Sequence, residues 1–178
     1  MSIHSSWLDL TPRKNEEIES YSQRIGQAYK NIPEEVLQQW FFLHAQNLEM
    51  INNYGWIDYH KAIFTEVYWT EAEISRIQIF SKYKPYVESR SNTENFSGFR
   101  CTPKDKEYWA NLGTWRVPIV VLKTDTIKIK PDYSELNRPY QLVEGHTRLG
   151  YFQAFSKYHD NGLKVAQSHK IYLMEISE

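Results

Sequence analysis

The sequence predicts an α/β protein of the α+β kind: a small mixed sheet with packed helices and an N-terminal helical extension. Three observations predict it. Apolar residues recur at helical spacing through much of residues 1–114. After Trp115 the pattern changes to short runs rich in β-branched residues. A strand then passes into a helix through a single glycine, Gly145. The expected division is a mainly helical part, 1–114, packed on a core of residues 115–178.

Ile18, Tyr21, Ile25 and Tyr29 fall on one face of a helix expected over 15–30. Pro33 opens a second helix as a first-turn proline, with Glu34 and Glu35 favoured by the helix dipole. Leu37, Trp40, Phe41, His44, Leu48 and Ile51 give that helix one wide apolar face, and Asn53-Tyr54-Gly55 stops it. Thr70-Glu71-Ala72-Glu73 is a capping box, expected to start a helix that carries Ile74, Ile77 and Phe80 and ends before Pro85. Residues 88–100, rich in Ser, Asn, Thr and Glu, are expected to form a loop. Thr102-Pro103 caps a short helix that Gly113 closes.

Val117–Leu122 is a continuous apolar run, as in a buried strand. Thr126–Lys130 alternates and predicts a half-exposed strand. Residues 140–143 form a third strand, 147–158 a helix ended by Asp160-Asn161-Gly162, and 169–176 a last strand. The expected order is helices first, then β-β-β-α-β.

Composition narrows the function. Mean hydropathy is −0.64 and no apolar run reaches the ~20 residues that span a bilayer, so no membrane partner is expected. The N-terminus has neither a basic nor an apolar leader segment. The one cysteine, Cys101, has no disulfide partner within the chain, which agrees with a cytoplasmic location. Net charge is −1, but residues 1–75 carry 5 basic and 11 acidic residues, and residues 76–178 carry 16 and 11. The acidic half suits a protein partner better than phosphate, and direct DNA binding is not expected. His44, His60, His159 and His169 lack paired spacing for a metal. The aromatics at 40, 54, 56, 59, 68 and 69 are expected in the core.

The informative segment is Leu142-Val143-Glu144-Gly145-His146-Thr147-Arg148-Leu149. First-turn amides of a helix lack internal partners and carry partial positive charge. A glycine admits a close approach there, and Arg148 adds a fork of donors suited to phosphate. Together they form a candidate anion site at Gly145, His146, Thr147 and Arg148. A bland alternative is that Arg148 simply pairs with Glu144.

Trp115–Leu122, followed by Tyr140–Leu149 and a final strand, resembles the ParB/sulfiredoxin superfamily, whose members share a strand ending in Gly-x-x-Arg that continues into a helix. The resemblance covers the last third of the chain and implies nucleotide phosphate binding at the motif. Sulfiredoxins carry Gly-Cys-His-Arg; here His146 stands at the catalytic cysteine's place and Thr147 at the histidine's, so no thiolate is supplied. Chromosome-partitioning members carry Gly-Glu-Arg-Arg, and His146 and Thr147 again depart. No helix-turn-helix follows the motif, which disfavours a DNA clamp. Glu144 stands where DGQHR-type defence proteins have an acid.

The resemblance implies a nucleoside triphosphate bound with Mg²⁺, and an NTPase, kinase or nuclease if there is turnover. Glu144 is then the metal ligand or base and His146 a second catalytic candidate, with Asp125, Asp132 and Glu135 as candidates for a second acidic ligand. The competing expectation is an immunity, antitoxin or regulatory protein that binds without turnover.

Overall fold

A computed structural model describes residues 2–157 and 163–176. It is an α+β fold built on one five-stranded mixed sheet. The elements in order are α1 (Ser5–Leu10), α2 (Ile18–Ala28), α3 (Glu34–Val36), α4 (Leu48–Tyr54), β1 (Ala62–Trp69), α5 (Glu71–Ile74), β2 (Ile77–Gln78), α6 (Lys84–Ser91), α7 (Pro103–Leu112), β3 (Ile119–Lys123), β4 (Tyr140–Glu144), α8 (His146–Ser156) and β5 (His169–Ile176). The strand order is β1-β5-β3-β4-β2. β5 runs parallel to β3, and β4 antiparallel to it.

The central strands are those with continuous apolar runs. Ile119, Val120, Val121 and Leu122 are all fully buried, because helices cover both faces of the sheet. Alternate residues feed two cores. Val120, Leu122, Val143, Tyr172 and Met174 pack under α1–α4 with Trp7, Trp40, Phe41 and Tyr59. Ile119, Val121, Leu142 and Ile171 pack under α7 and α8 with Trp109, Trp115, Phe152 and Phe155.

Both edge strands come from residues before Trp115, so helices do not all precede the sheet as expected. β1 pairs antiparallel with the whole of β5, from Ala62 opposite Ile176 to Trp69 opposite His169. β2 pairs parallel with the start of β4. The capping box forms at Thr70 and Glu73, but its helix stops at Ile74 because Ile77 joins the sheet edge. Pro85 opens α6 instead of ending a helix, since a first-turn proline loses no helical hydrogen bond. Residues 88–91 are therefore helical and Phe96–Gly98 forms a 3₁₀ turn, where a loop was expected.

Thr126–Lys130 is not a strand. β3 is already flanked by β4 and β5, so no edge is open beside it, and Ile129 is left exposed. The expected long helix after Pro33 is broken. α3 continues as a π-helical segment, Leu37–Phe42, and Asn47 then starts α4 by accepting the Glu49 amide at 2.9 Å. α7 follows the sequence expectation, with Thr102 capping its start and Gly113, at φ 66°, closing it. The expected stop at 160–162, the end of the 147–158 helix beyond Lys157, and His159 lie outside the described residues. No described helix is long and apolar enough to cross a membrane.

Candidate functional site

β4 ends at Glu144, Gly145 follows as the N-cap, and α8 begins at His146. Gly145 sits at φ 105° and ψ 24°, in left-handed space that favours glycine. A Cβ there would lie 2.4 Å from Ile119 Cγ2, so the close approach that glycine admits is used by a side chain of β3. The Gly145 carbonyl accepts the Leu149 amide at 2.8 Å, and no side chain caps this helix start. The first-turn amides are therefore left without intrahelical acceptors.

Two elements that the sequence had not linked to the motif close over this turn. A Cβ on Gly150 would lie 2.5 Å from Arg90 Cβ and 2.8 Å from the Val87 carbonyl oxygen, so glycine there lets α6 pack close to α8. That brings Tyr86 Oη to 2.7 Å from Thr147 Oγ1 and the Tyr83 ring to 4.6 Å from the His146 ring. On the other side, the break between the π-helical segment and α4 places His44, Asn47 and Met50 at the same cleft. The cleft has a volume of about 330 Å³ and includes all of Glu144–Arg148 in its lining.

Arg148 is held from two directions. Its Nη2 donates to Gln39 Oε1 at 2.5 Å and to Glu144 Oε1 at 3.3 Å. Gln39 is itself fixed, donating through Nε2 to the Pro118 carbonyl at 3.0 Å. The pairing of Arg148 with Glu144 is thus made, while Arg148 Nε stays buried without a hydrogen-bond partner. The other Glu144 oxygen lies 3.7 Å from His44 Nε2.

Burial sets the electrostatics. It pushes the Glu144 carboxyl above the usual carboxylate range, against the opposing pull of Arg148, His44 and the Gly145 amide. It also lowers Arg148, against Glu144 and Asp105. Burial, reinforced by His44 and Arg148, brings His146 down to about 4, so its imidazole is neutral at pH 7. His146 is only 9% exposed and its Nε2 has no hydrogen-bond partner.

The structure gathers Glu144, Gly145, His146, Thr147 and Arg148 on one cleft. Asp125, Asp132 and Glu135 do not line it; Glu135 instead accepts from the Ser81 amide, the Ser81 hydroxyl and Asn137. Among the described residues, no group of three or more His, Cys, Asp or Glu is placed to hold a metal ion. Sequence reasoning missed Gln39, Asn47, Met50, Tyr83 and Tyr86, and had His44 only as part of an apolar face. No local spacing marks them, since the π-helical segment and the α6–α8 packing bring them in. Comparison with family models, curated proteins and solved structures found no match.

Proposed function

We propose that the cleft at the start of α8 binds the phosphate-bearing end of a nucleotide. The observation that carries this reading is His146: a neutral, buried imidazole with an unpartnered Nε2, beside an uncapped helix start and the Arg148 guanidinium. Phosphate oxygens suit those donors, because they accept from helix amides and from a guanidinium fork together. Tyr83 and Tyr86 add aromatic side chains to the lining. The volume of about 330 Å³ lies near the lower end of the ~300–1,000 Å³ typical of ligand pockets, so the cleft takes part of a nucleotide and leaves the rest outside.

Among the described residues, Glu144 is the one carboxylate lining the cleft. Mg²⁺ is often held by one or two protein carboxylates plus substrate phosphates, so Glu144 fits a metal that arrives with a nucleoside triphosphate. In an NTPase, kinase or nuclease reading, Arg148 and the α8 amides stabilise charge on phosphate. A Glu144 carboxyl raised by burial is then the base candidate, with His146 as a neutral hydrogen-bonding group. The resemblance to the ParB/sulfiredoxin superfamily and a cytoplasmic setting belong to the same proposal.

One observation favours the second reading, a non-enzymatic immunity, antitoxin or regulatory protein. Arg148 is already engaged by Glu144 and Gln39, so the motif satisfies much of its own charge. In that reading the acidic N-terminal helical part, with exposed Leu8, Leu43 and Leu48, meets a protein partner.

The deciding experiment is a thermal-shift screen of ATP, CTP and GTP with and without Mg²⁺, followed by titration calorimetry. A ligand at a hundred times its dissociation constant adds ~2.7 kcal/mol of apparent stability. A shift for at least one nucleotide, reduced in His146→Ala, is the expected result. No shift with any of the three refutes the nucleotide reading.

A further inference from the structure

Arg148 lines a second cleft as well as the first. This one, about 290 Å³, lies between α7, the approach to β3 and the first turns of α8. Cys101, Asp105, Arg116, Thr147, Arg148 and Tyr151 are among its walls, with Trp109 and Trp115 forming apolar parts. Arg116 and Cys101 do not line the first cleft.

Its charge is unevenly satisfied. Arg116 donates through Nε to Asp105 Oδ1 at 2.6 Å, and its two terminal nitrogens have no partner among the described residues. Among the described residues Asp105 is the one carboxylate in the lining, and both its oxygens are engaged: Oδ2 accepts from the Thr102 hydroxyl at 2.5 Å while Oδ1 takes Arg116. Arg148 Nε is buried without a partner. Arg116 is also close enough to Arg148 to disfavour its charge, against the larger favourable pulls of Glu144 and Asp105. Glu144 and Asp105 pair the two guanidiniums, and what remains is their open N–H donors, the buried Arg148 Nε and the terminal nitrogens of Arg116, which suit an anion's oxygens.

We infer that this second cleft is a subsite for a compact oxyanion, a phosphate group, held by Arg116 and Arg148. The geometry suits phosphate because planar guanidinium groups present several N–H donors to its oxygens. Beyond the two arginines the walls combine the aromatic Trp109, Trp115 and Tyr151 with the polar Gln39, Asp105 and Thr147. The inference does not depend on the nucleotide reading of the first cleft, because Arg116 carries it and lies outside that cleft.

Cys101 supplies a reporter, since it is the chain's one cysteine and lies in this cleft. Burial, followed by the Asp105 charge, raises its thiol, so alkylation is slow and best followed at mildly alkaline pH. The full chain is treated with iodoacetamide while inorganic phosphate is titrated against sodium chloride of equal ionic strength. Phosphate should slow alkylation of Cys101 severalfold and saturably. Arg116→Gln should abolish that protection, and Arg116→Lys should retain part of it. The Thr102–Asp105 hydrogen bonds at the α7 start do not involve Arg116, and circular dichroism checks the fold of both variants.

A second arm uses ATP in place of inorganic phosphate, in wild type and in His146→Ala. Protection by ATP that is lost in His146→Ala assigns the oxyanion to a nucleotide spanning both clefts. Phosphate protection that persists in His146→Ala assigns it to a separate small anion. Either result supports the subsite. An alkylation rate unmoved by phosphate in the wild type, or protection equal in wild type and Arg116→Gln, overturns it, whatever the first cleft binds.

Discussion

The aromatic layer under α1–α4 and the start of α8 treat buried polar atoms in opposite ways. In the aromatic layer, Trp7 Nε1 donates to the Ala45 carbonyl, Tyr21 to Leu10, Tyr59 to Tyr54 and Tyr54 to Leu142. Trp40 Nε1 is the exception. Around α8, His146 Nε2 and Arg148 Nε are both buried without partners, and Glu144 is a carboxyl raised by burial. The first region gains stability by burying rings and satisfying their polar ends. The second holds polar groups where burial opposes their charge, a combination that in folded proteins concentrates at sites that bind or react. The two regions meet at the π-helical segment, where Gln39 binds Arg148 while neighbouring Trp40 and Phe41 fill the aromatic core.

The largest expected effect lies in the aromatic region. Trp40 is fully buried and makes edge contacts with Trp7, Tyr54 and Tyr59. Trp40→Ala should cost ~3–5 kcal/mol in urea unfolding, the range for truncating a large buried aromatic. It should also loosen Gln39, its neighbour in sequence, so weaker ligand binding at the cleft is expected with it. A loss below about 1 kcal/mol would mean that this layer is not where stability resides.

Gly145→Ala comes next and tests whether the turn is shaped by packing. An added methyl meets Ile119 Cγ2 at 2.4 Å, and φ 105° is strained for any side chain. Overpacking and backbone strain cost ~1–3 kcal/mol each. Adding Ile119→Ala removes the Cγ2 contact but keeps Cβ at 2.8 Å, so it should recover only part of the steric cost. Full recovery in the double variant would show that the backbone itself is unstrained.

Arg148→Ala should weaken nucleotide binding roughly ten- to a hundredfold, since a charge-assisted hydrogen bond is worth ~1.5–3 kcal/mol. His146→Ala should cost less. Arg148→Lys should rescue only part, because an ammonium keeps the charge without the fork. Arg148→Ala should also lose stability, since Glu144 is left buried with His44 and the Gly145 amide as its partners. Arg148→Ala with Glu144→Gln should regain stability without regaining affinity. Calorimetry and thermal melts separate the two effects, and unchanged affinity in Arg148→Ala would refute the phosphate site.

Much of this contrast was legible in the sequence, and the reasons it was incomplete are physical. The central strands announce themselves because burial on both faces demands unbroken apolar runs, as in Val117–Leu122. α7 was legible because capping is local chemistry at Thr102 and Gly113. β1 was not, because an edge strand covered unevenly shows no clean alternation: Ile63 and Tyr68 are exposed while Ala62 and Trp69 are buried. The alternation at 126–130 misled because a pleated pattern does not supply a free edge to pair with. At the site, Gly145 and Arg148 were legible as a motif. Gln39, Tyr83 and Tyr86 were not, because distant packing brings them in.

The smallest effect is a pH dependence, and it bears on the same contrast. His146 is brought from 6.5 to about 4 by burial, and His169, buried beside Trp115 and Phe152, is also brought to about 4. A histidine lowered on folding binds its proton more readily in the unfolded chain. Stability from this source is therefore fully present above 6.5 and is lost as pH falls from 6.5 toward 4. Glu144 has the opposite sign: raised on folding, it lowers stability as pH rises through its unfolded value of 4.5. Its window opens at 4.5 and runs upward, overlapping that of the histidines, so between pH 7 and 5 two histidines act against one carboxyl. The urea midpoint should fall on acidification across that range. His146→Gln should flatten the fall, and so should His169→Gln, each removing one of the two protons taken up on unfolding. Ligand should sharpen the difference between them. A phosphate bound against His146 favours its protonated form, so saturating nucleotide should shift the His146 titration upward and leave that of His169 in place. Following both imidazoles by NMR through the titration tests this directly. Equal shifts at both, or none at His146, would place the ligand away from the start of α8.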